Sequence, residues 1–344
     1  MIEEPARQIL PQTQGPSAIN IINLLDDPRW SASDLDYLAP VFIPKRSGGL
    51  RKIMEPKPYL KAAQKYVVNQ IISRGYGASQ FAHGFVNKRG RRTNAIPHIG
   101  NSRMLKIDIQ DFFGACRPEM VSSALQRLGP PAWLLDLVER LCFLDNGLPQ
   151  GSPASPVLSN IVTREMDYRI AGLCAKYMRH PRKDMSGEYR NPRTEDIVYT
   201  RYADDMTFTS NWDGLNQIVH PVGHILSQCG FAIKPSKTKY FTAPARLESC
   251  GVVVSKEKIN AKRRDRLYWR GRLHKMIVDI KHNAVEPGKF IDKWGRQTQL
   301  SEKMFRRMRG KLSAIVDISP QDKVSLFSKF KELRALCTKT NRAT

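Results

Sequence analysis

Thr200-Arg201-Tyr202-Ala203-Asp204-Asp205-Met206-Thr207-Phe208-Thr209 sets two adjacent carboxylates between two β-rich runs, Ile197 to Tyr202 and Met206 to Thr209. The pattern predicts a hairpin with both carboxylates at its tip. Side chains alternate along a strand, but neighbours in a tight turn can approach one site. Adjacent carboxylates repel, so one tends to keep its proton unless cations pin both. A hard divalent cation with oxygen ligands meets that need, Mg²⁺ above all. A solvated Asp-Asp turn is the plain alternative, and the pair alone does not decide between them.

A second stretch sharpens the choice: Met104-Leu105-Lys106-Ile107-Asp108-Ile109-Gln110-Asp111-Phe112-Phe113. Leu105, Ile107 and Ile109 alternate as in a half-buried strand. Asp108 interrupts the apolar run near its end, where an unpaired carboxylate is costly to bury. It needs a cation, a metal or water. Three carboxylates on neighbouring strands can hold two metals about 3.5–4 Å apart, an arrangement that activates an attacking hydroxyl and steadies a leaving pyrophosphate.

The charge balance points the same way. The 344 residues carry 56 Lys+Arg against 32 Asp+Glu, a net charge of +24. A surplus that large implies a polyanionic partner. More than half of it lies in residues 256–344, with 24 Lys+Arg against 9 Asp+Glu. Two basic runs stand out there. Lys262, Arg263, Arg264, Arg266, Arg270, Arg272 and Lys275 interleave with Leu267, Trp269, Leu273, Ile277 and Ile280. Arg306, Arg307, Arg309 and Lys311 interleave with Phe305, Met308, Leu312 and Ile315. Both read as basic amphipathic helices suited to a phosphate backbone. A basic protein with a three-carboxylate centre reads as a nucleotidyl transferase.

Other classes recede. No run approaches the ~20 apolar residues of a membrane span, and Glu3 and Glu4 stand where a signal peptide carries positive charge. Six scattered cysteines without CxxC spacing suit a reduced cytoplasmic protein with no structural zinc. His220 and His224 have i,i+4 spacing, but Pro221 and the lack of a nearby carboxylate pair argue against a metal site. Pro40 to Pro58 reads as a hairpin, with Val41 to Ile43 and Leu50 to Met54 as strands and Ser47-Gly48-Gly49 as the turn. Tyr59 to Arg74 reads as a helix with Leu60, Ala63, Val67, Val68, Ile71 and Ile72 on its apolar face, and 176–195 as an exposed loop.

Tyr202-Ala203-Asp204-Asp205 resembles the YxDD box of reverse transcriptases. Asp108 with Phe112-Phe113 resembles their first catalytic motif, and Leu148-Pro149-Gln150-Gly151-Ser152-Pro153-Ala154-Ser155-Pro156-Val157-Leu158-Ser159-Asn160 resembles the intervening LPQGxxxSPxxxN motif. The order is right, and the resemblance runs from about Pro40 to Val254. Within that superfamily, Ala82-His83-Gly84-Phe85 and Asn94-Ala95-Ile96-Pro97-His98 resemble segments of bacterial retron enzymes, the second their NAxxH box. Ser249-Cys250-Gly251 departs from the Val-Thr-Gly usual in retrons, keeping only the glycine.

The resemblance implies an α+β right-hand polymerase. Residues 1–39 would be a helical N-terminal extension and 40–104 the fingers, joined by finger and palm helices in 115–147. Residues 105–114 and 148–255 would be an antiparallel-sheet palm, and 256–344 a basic helical thumb that binds RNA. Asp108, Asp204 and Asp205 would hold two Mg²⁺ ions, with Mn²⁺ as a substitute, and Ile109 would add a backbone carbonyl. Phe113 would exclude a 2′-hydroxyl by a clash and so favour deoxynucleotides. Gln150 and Gly151 would line the nucleotide. Arg51, with Lys45 or Lys52, would grip the triphosphate. Lys237, in Gly230-Phe231-Ala232-Ile233-Lys234-Pro235-Ser236-Lys237-Thr238, would protonate the leaving pyrophosphate, with Lys234 next in line. Asn94, His98, Arg263, Arg264, Arg266, Arg270, Arg306 and Arg307 would contact RNA, with a buried role for His98 as the alternative.

The implied partners are a cognate structured noncoding RNA, its complementary DNA, dNTPs and a separate effector protein, with no membrane. The implied activity is self-primed synthesis from an RNA 2′-OH, giving a branched RNA–DNA in phage defence. Two rivals stand beside it: another bacterial reverse transcriptase (group-II-like, diversity-generating or defence-associated) using a separate template, and a non-catalytic RNA-binding scaffold on the same fold.

Overall fold

The computed structural model describes residues 31–33, 36–45, 48–179, 197–282, 285, 289–291 and 297–339. The expected extension up to residue 30, the turn residue Ser47 and residues 180–195 of the expected loop lie outside the described residues. The chain forms two compact units, one from residues 1–90 with 102–241, the other from 91–101 with 242–344.

The first unit opens with an antiparallel ribbon, β1 (Val41–Pro44) against β2 (Leu50–Ile53), paired Ile43 to Arg51 and Phe42 to Lys52. Gly48 and Gly49 both take positive φ at its turn. The central sheet holds β3 (Arg103–Asp108), β4 (Val198–Tyr202), β5 (Asp205–Ser210) and β6 (Lys239–Thr242) in the order β4-β5-β3-β6. Leu105 and Ile107 are buried on one face of β3, which turns Lys106 and Asp108 the other way. Tyr199 and Phe208 stack across β4 and β5 with ring centroids 4.9 Å apart.

Helices back this sheet. Pro58–Ser73 starts on a proline, whose fixed φ suits a first turn. It buries Leu60, Ala63, Val67 and Ile71 and packs on Ala132–Leu141. Each fully buried aliphatic side chain contributes roughly 1.5–3 kcal/mol. Ile72, expected on the same face, is 58% exposed, because one residue further turns about 100° away from Ile71. The long helix Ser155–Arg179 packs against Pro118–Gln126 and Val219–Gln228.

The second unit contains the antiparallel sheet β7 (Leu247–Ser249), β8 (Val252–Val254) and β9 (Ile259–Ala261). Cys250 and Gly251 form the β7–β8 turn with φ of 48° and 83°, the left-handed pair that a tight hairpin requires. Residues 91–101, expected among the fingers, belong to this unit, and helix Arg91–Ala95 packs on β7 and β8. Residues 242–255, expected in the palm, also group here. Beyond them come helix Arg263–Lys281, the ribbon β10 (Lys289–Ile291) with β11 (Gln297–Gln299), and helices Glu302–Ile318 and Lys323–Lys339. Leu273, Met276, Ile277, Phe305, Met308, Leu312 and Ile315 are the buried faces of the first two long helices, the first of which packs chiefly on Lys323–Lys339. Leu267, expected on the same apolar face, is 51% exposed. The C-terminal region is helical as expected, with β9 and the β10–β11 ribbon added. Among the described residues no helix is long and apolar enough to cross a membrane.

Candidate active site

Asp108 ends β3 directly opposite Asp205 at the start of β5, and Asp205 in turn pairs with Tyr202 across the β4–β5 hairpin. The turn between is two residues, Ala203 and Asp204. Ala203 carries φ of 57°, a conformation such a short loop demands and a Cβ resists. The hairpin is latched to its neighbours through backbone. Ile109 N–H donates to Asp204 O at 2.9 Å, and Lys234 N–H donates to Asp108 O at 2.8 Å. Three carboxylates separated by nearly a hundred residues of sequence thus meet at one sheet end.

Two lysines hold two of them. Lys237 Nζ donates to Asp108 Oδ2 at 2.6 Å, and Lys106 Nζ lies 2.9 Å from Asp205 Oδ2. Lys106 was not anticipated, although its i,i+2 spacing to Asp108 puts both on one face of β3. For Asp204, burial first and the charge of Asp108 second push the carboxyl above the ordinary range, against the pull of a backbone N–H and Lys237. Among the described residues no three Asp, Glu, His or Cys side chains are gathered as a ready metal cluster. The donors are nonetheless all hard carboxylate oxygens, and Asp204 gains from a nearby cation. The residues fit a divalent cation once the lysines release Asp108 and Asp205.

Asp108 and Asp204 open onto a hollow of about 800 Å³. Lys45 and Arg51 of the ribbon line it, as do Phe85, Ile109, Phe113, Gln150, Asp204 and Lys237. The Phe113 ring lies 6.0 Å from Phe85 and 5.4 Å from Phe112. Lys52 sits apart, 3.8 Å from Asp145, since the β2 alternation turns it away from Arg51. Gly151 is also constrained by the fold. Its φ is 129°, and a Cβ there would stand 2.3 Å from Met54 O. Met54 N–H donates to Gln150 O at 2.7 Å, so β2 and the Gln150-Gly151 segment are fastened together. Asp111, with φ of 43°, accepts from Ala115 N–H at 2.8 Å through its backbone carbonyl, a local turn role.

Residues 43–279 match the reverse transcriptase (RNA-dependent DNA polymerase) family. The chain belongs to that family. It is 29% identical to the retron Ec86 reverse transcriptase of Escherichia coli over 65% of this chain and 65% of that one. It is 31% identical to the retron Mx65 reverse transcriptase of Myxococcus xanthus over 67% of this chain and 54% of that one. The chain therefore spans less than two thirds of the length of these curated relatives. Among solved structures, telomerase from Candida albicans overlaps 90% of this chain and 62% of its own at 11% identity and a TM-score of 0.46, too distant to bear on the site.

Beneath the carboxylate turn lies a buried network that sequence reasoning missed. Arg201 and Asp167 are both fully buried. Arg201 donates through Nε to Asp167 Oδ1 and through Nη2 to Oδ2, each at 2.8 Å. Tyr199 OH donates to Asp167 Oδ1 at 2.7 Å and Ser79 Oγ to Oδ2 at 2.5 Å. Burial opposes the Arg201 charge, but the Asp167 carboxylate outweighs it and holds the guanidinium above its ordinary range. In sequence Arg201 is one strand charge and Asp167 one helix charge, 34 positions apart. No local pattern links them.

The expected RNA contacts divide sharply. Asn94 and His98 are fully buried, which is a correction for both as surface contacts. Asn94 Nδ2 donates to Ser249 Oγ at 2.9 Å, within the turn that replaces Val-Thr-Gly. Arg266 and Arg270 both donate to the fully buried Asp322, Arg270 Nη2 at 2.6 Å. They fasten helix Arg263–Lys281 to the segment before the last helix. Arg263, Arg264, Arg306 and Arg307 are exposed, as is Tyr268 at 55%.

Proposed function

We propose that this chain is a retron-type RNA-directed DNA polymerase that copies part of a cognate structured noncoding RNA into DNA, primed from a 2′-OH of that RNA. The observation that carries the reading is the meeting of Asp108, Asp204 and Asp205 at one sheet end, with Asp108 and Asp204 lining a hollow shared by Arg51, Lys45 and Phe113. Family membership and the retron relatives support it.

In the proposed reaction a priming hydroxyl attacks the α-phosphorus of a dNTP. A phosphodiester bond forms, the bond to pyrophosphate breaks, and the hydroxyl loses its proton to water. Arg51 and Lys45 hold the triphosphate. An Arg fork matches two phosphate oxygens, which a lysine cannot do alone. Phe113 and Phe85 wall the sugar and exclude a 2′-hydroxyl by contact. Lys237, poised at Asp108, delivers a proton to the departing pyrophosphate. Divalent cations held by Asp108, Asp204 and Asp205, Mg²⁺ in the cell, would polarise the phosphate oxygens and neutralise developing charge. Arg263, Arg264, Arg306 and Arg307 offer phosphate contacts for RNA. The branched product, a role in phage defence, a separate effector and a cytoplasmic site of action belong to the same proposal.

The test is to express the gene with its flanking noncoding DNA and analyse nucleic acid bound to the purified protein. A short DNase-sensitive species that shifts on debranching, and vanishes in Asp204→Asn/Asp205→Asn, is the expected result. Bound RNA without DNA in either sample would sink it and favour a scaffold. DNA made only on added primer-templates would favour a separate-template enzyme. Phe113→Ala is expected to raise ribonucleotide incorporation at least about tenfold, as removal of a clash does, read by primer extension with matched dNTP and rNTP.

A further inference from the structure

We propose that Arg201, Asp167 and Asn160 are positioning residues for the carboxylate turn, and that through it they set how tightly the site takes a divalent cation. The inference rests on the reading of Asp108, Asp204 and Asp205 as cation ligands.

The geometry of the network carries it. The Arg201 fork spends Nε and Nη2 on Asp167, and its remaining arm, Nη1, donates to Ala203 O at 3.0 Å. Ala203 is the turn residue in the left-handed region. Asn160 closes the other side. Its Oδ1 accepts from Arg201 Nη2 at 3.2 Å, and its Nδ2 donates to Gly84 O at 2.9 Å. Gly84 lies so close to the turn that a Cβ on it would stand 2.6 Å from Ala203 N. His83 N–H donates to Arg201 O at 2.7 Å, tying the same segment to β4. The guanidinium holds the turn at its carbonyl, the Gly84 backbone packs closely against its amide, and Asn160 joins the two.

Stability alone does not account for this arrangement. Well-packed apolar residues often replace a buried ion pair without loss. A stabilising role would explain Asp167, Tyr199 and Ser79. It would ask only that the remaining donors of Arg201 and Asn160 find acceptors, not that those acceptors be residue 203 of the turn and residue 84 packed against it. A residue in an unfavourable backbone conformation persists where its surroundings over-determine it, and Asp204 and Asp205 follow Ala203 directly.

The experiment measures Mn²⁺ binding to the full chain, without nucleic acid or nucleotide, by the loss of the free-ion spin resonance signal. The variants are Arg201→Met/Asp167→Leu, which replaces the pair by apolar side chains, and Asn160→Ala, which removes no charge. Leu137→Ala, in the buried core of helix Ala132–Leu141, is the control for general loosening. Melting temperature is recorded for each. The expected result is a dissociation constant for Mn²⁺ raised roughly tenfold in both network variants, the scale seen when partners of metal ligands are removed. Leu137→Ala should leave it unchanged despite a lower melting temperature. In single-nucleotide addition, kcat should fall while the KM for dNTP stays, because the triphosphate grip is elsewhere. Should the double variant fail to fold, Asn160→Ala decides. Folded variants that bind Mn²⁺ as the parent does, or a control that shifts as far, would overturn the proposal alone. A parent chain that takes no Mn²⁺ would overturn it together with the reading of the carboxylates.

Discussion

On the β4–β5 hairpin, Asp205 pairs across to Tyr202 and lies beside a lysine that water reaches, while Arg201, one position along, is sealed from solvent with Asp167. The two charge clusters are close in sequence and opposite in construction. Lys237 and Lys106 meet their carboxylates as compact, hydrated point charges on flexible stems. Arg201 meets Asp167 as a planar fork with both oxygens engaged and every neighbour accounted for. The difference separates charges that must change partner from charges that must not. A carboxylate destined for a cation needs a companion that can leave. A carboxylate that fixes a turn needs one that cannot.

Substitution on each side should break that contrast in opposite ways. Asp205→Asn should cut DNA synthesis by about 10²–10³, the scale of losing one main electrostatic group, and leave the melting temperature nearly unchanged. Primer extension and calorimetry read the two halves. Asp167→Asn should act first on the fold, costing about 3–5 kcal/mol, because it leaves the Arg201 guanidinium buried without its countercharge. Denaturant unfolding measures this.

The inner cluster also predicts a pH response. Burial first and the charge of Arg89 second depress His83 to about 4. The unfolded imidazole titrates near 6.5, so unfolding takes up a proton between pH 6.5 and 4. Stability is therefore full above pH 6.5 and falls as the pH drops toward 4, by an amount that solvent screening of the half-exposed ring reduces. His83→Gln should flatten that part of the stability–pH curve. The smallest effect belongs to the outer cluster. Lys106→Met removes the competitor at Asp205 and should tighten Mn²⁺ binding about two- to fivefold, as a partly exposed ion pair allows. A weaker affinity would show that Lys106 organises the carboxylate rather than occupying it.

What could be read from sequence depended on the range of the signal. The alternation of Leu105, Ile107 and Ile109 and the Asp pair between two β runs gave β3, β4, β5 and the end of the sheet where three carboxylates meet. Lys237 followed from a motif. Periodicity was coarser at helix surfaces, where Ile72 and Leu267 turned outward. Partners fixed only by tertiary packing left no trace. Asp322 claims Arg266 and Arg270, yet all three look like ordinary surface charges along the chain. Asn94 and His98 look polar and available, but their segment folds into the second unit and is covered. Gly151 carries a second constraint that no motif shows, since Met54 leaves no room for a Cβ.

That last contact gives the ribbon a mechanical character. Met54 is pinned to Gln150 by a hydrogen bond and crowded by Gly151, while Val41, Phe42, Ile43 and Leu50 are about half exposed. A ribbon fastened this way would pivot as a lever with its fulcrum at Met54. Arg51 lies three residues out, about 10 Å at strand spacing, so a swing of about 10° carries it through about 2 Å. Gln150, at the fulcrum, stays where it is. Under the proposed reaction, such a swing would carry the Arg51 guanidinium toward or away from a triphosphate while Gln150 keeps its place.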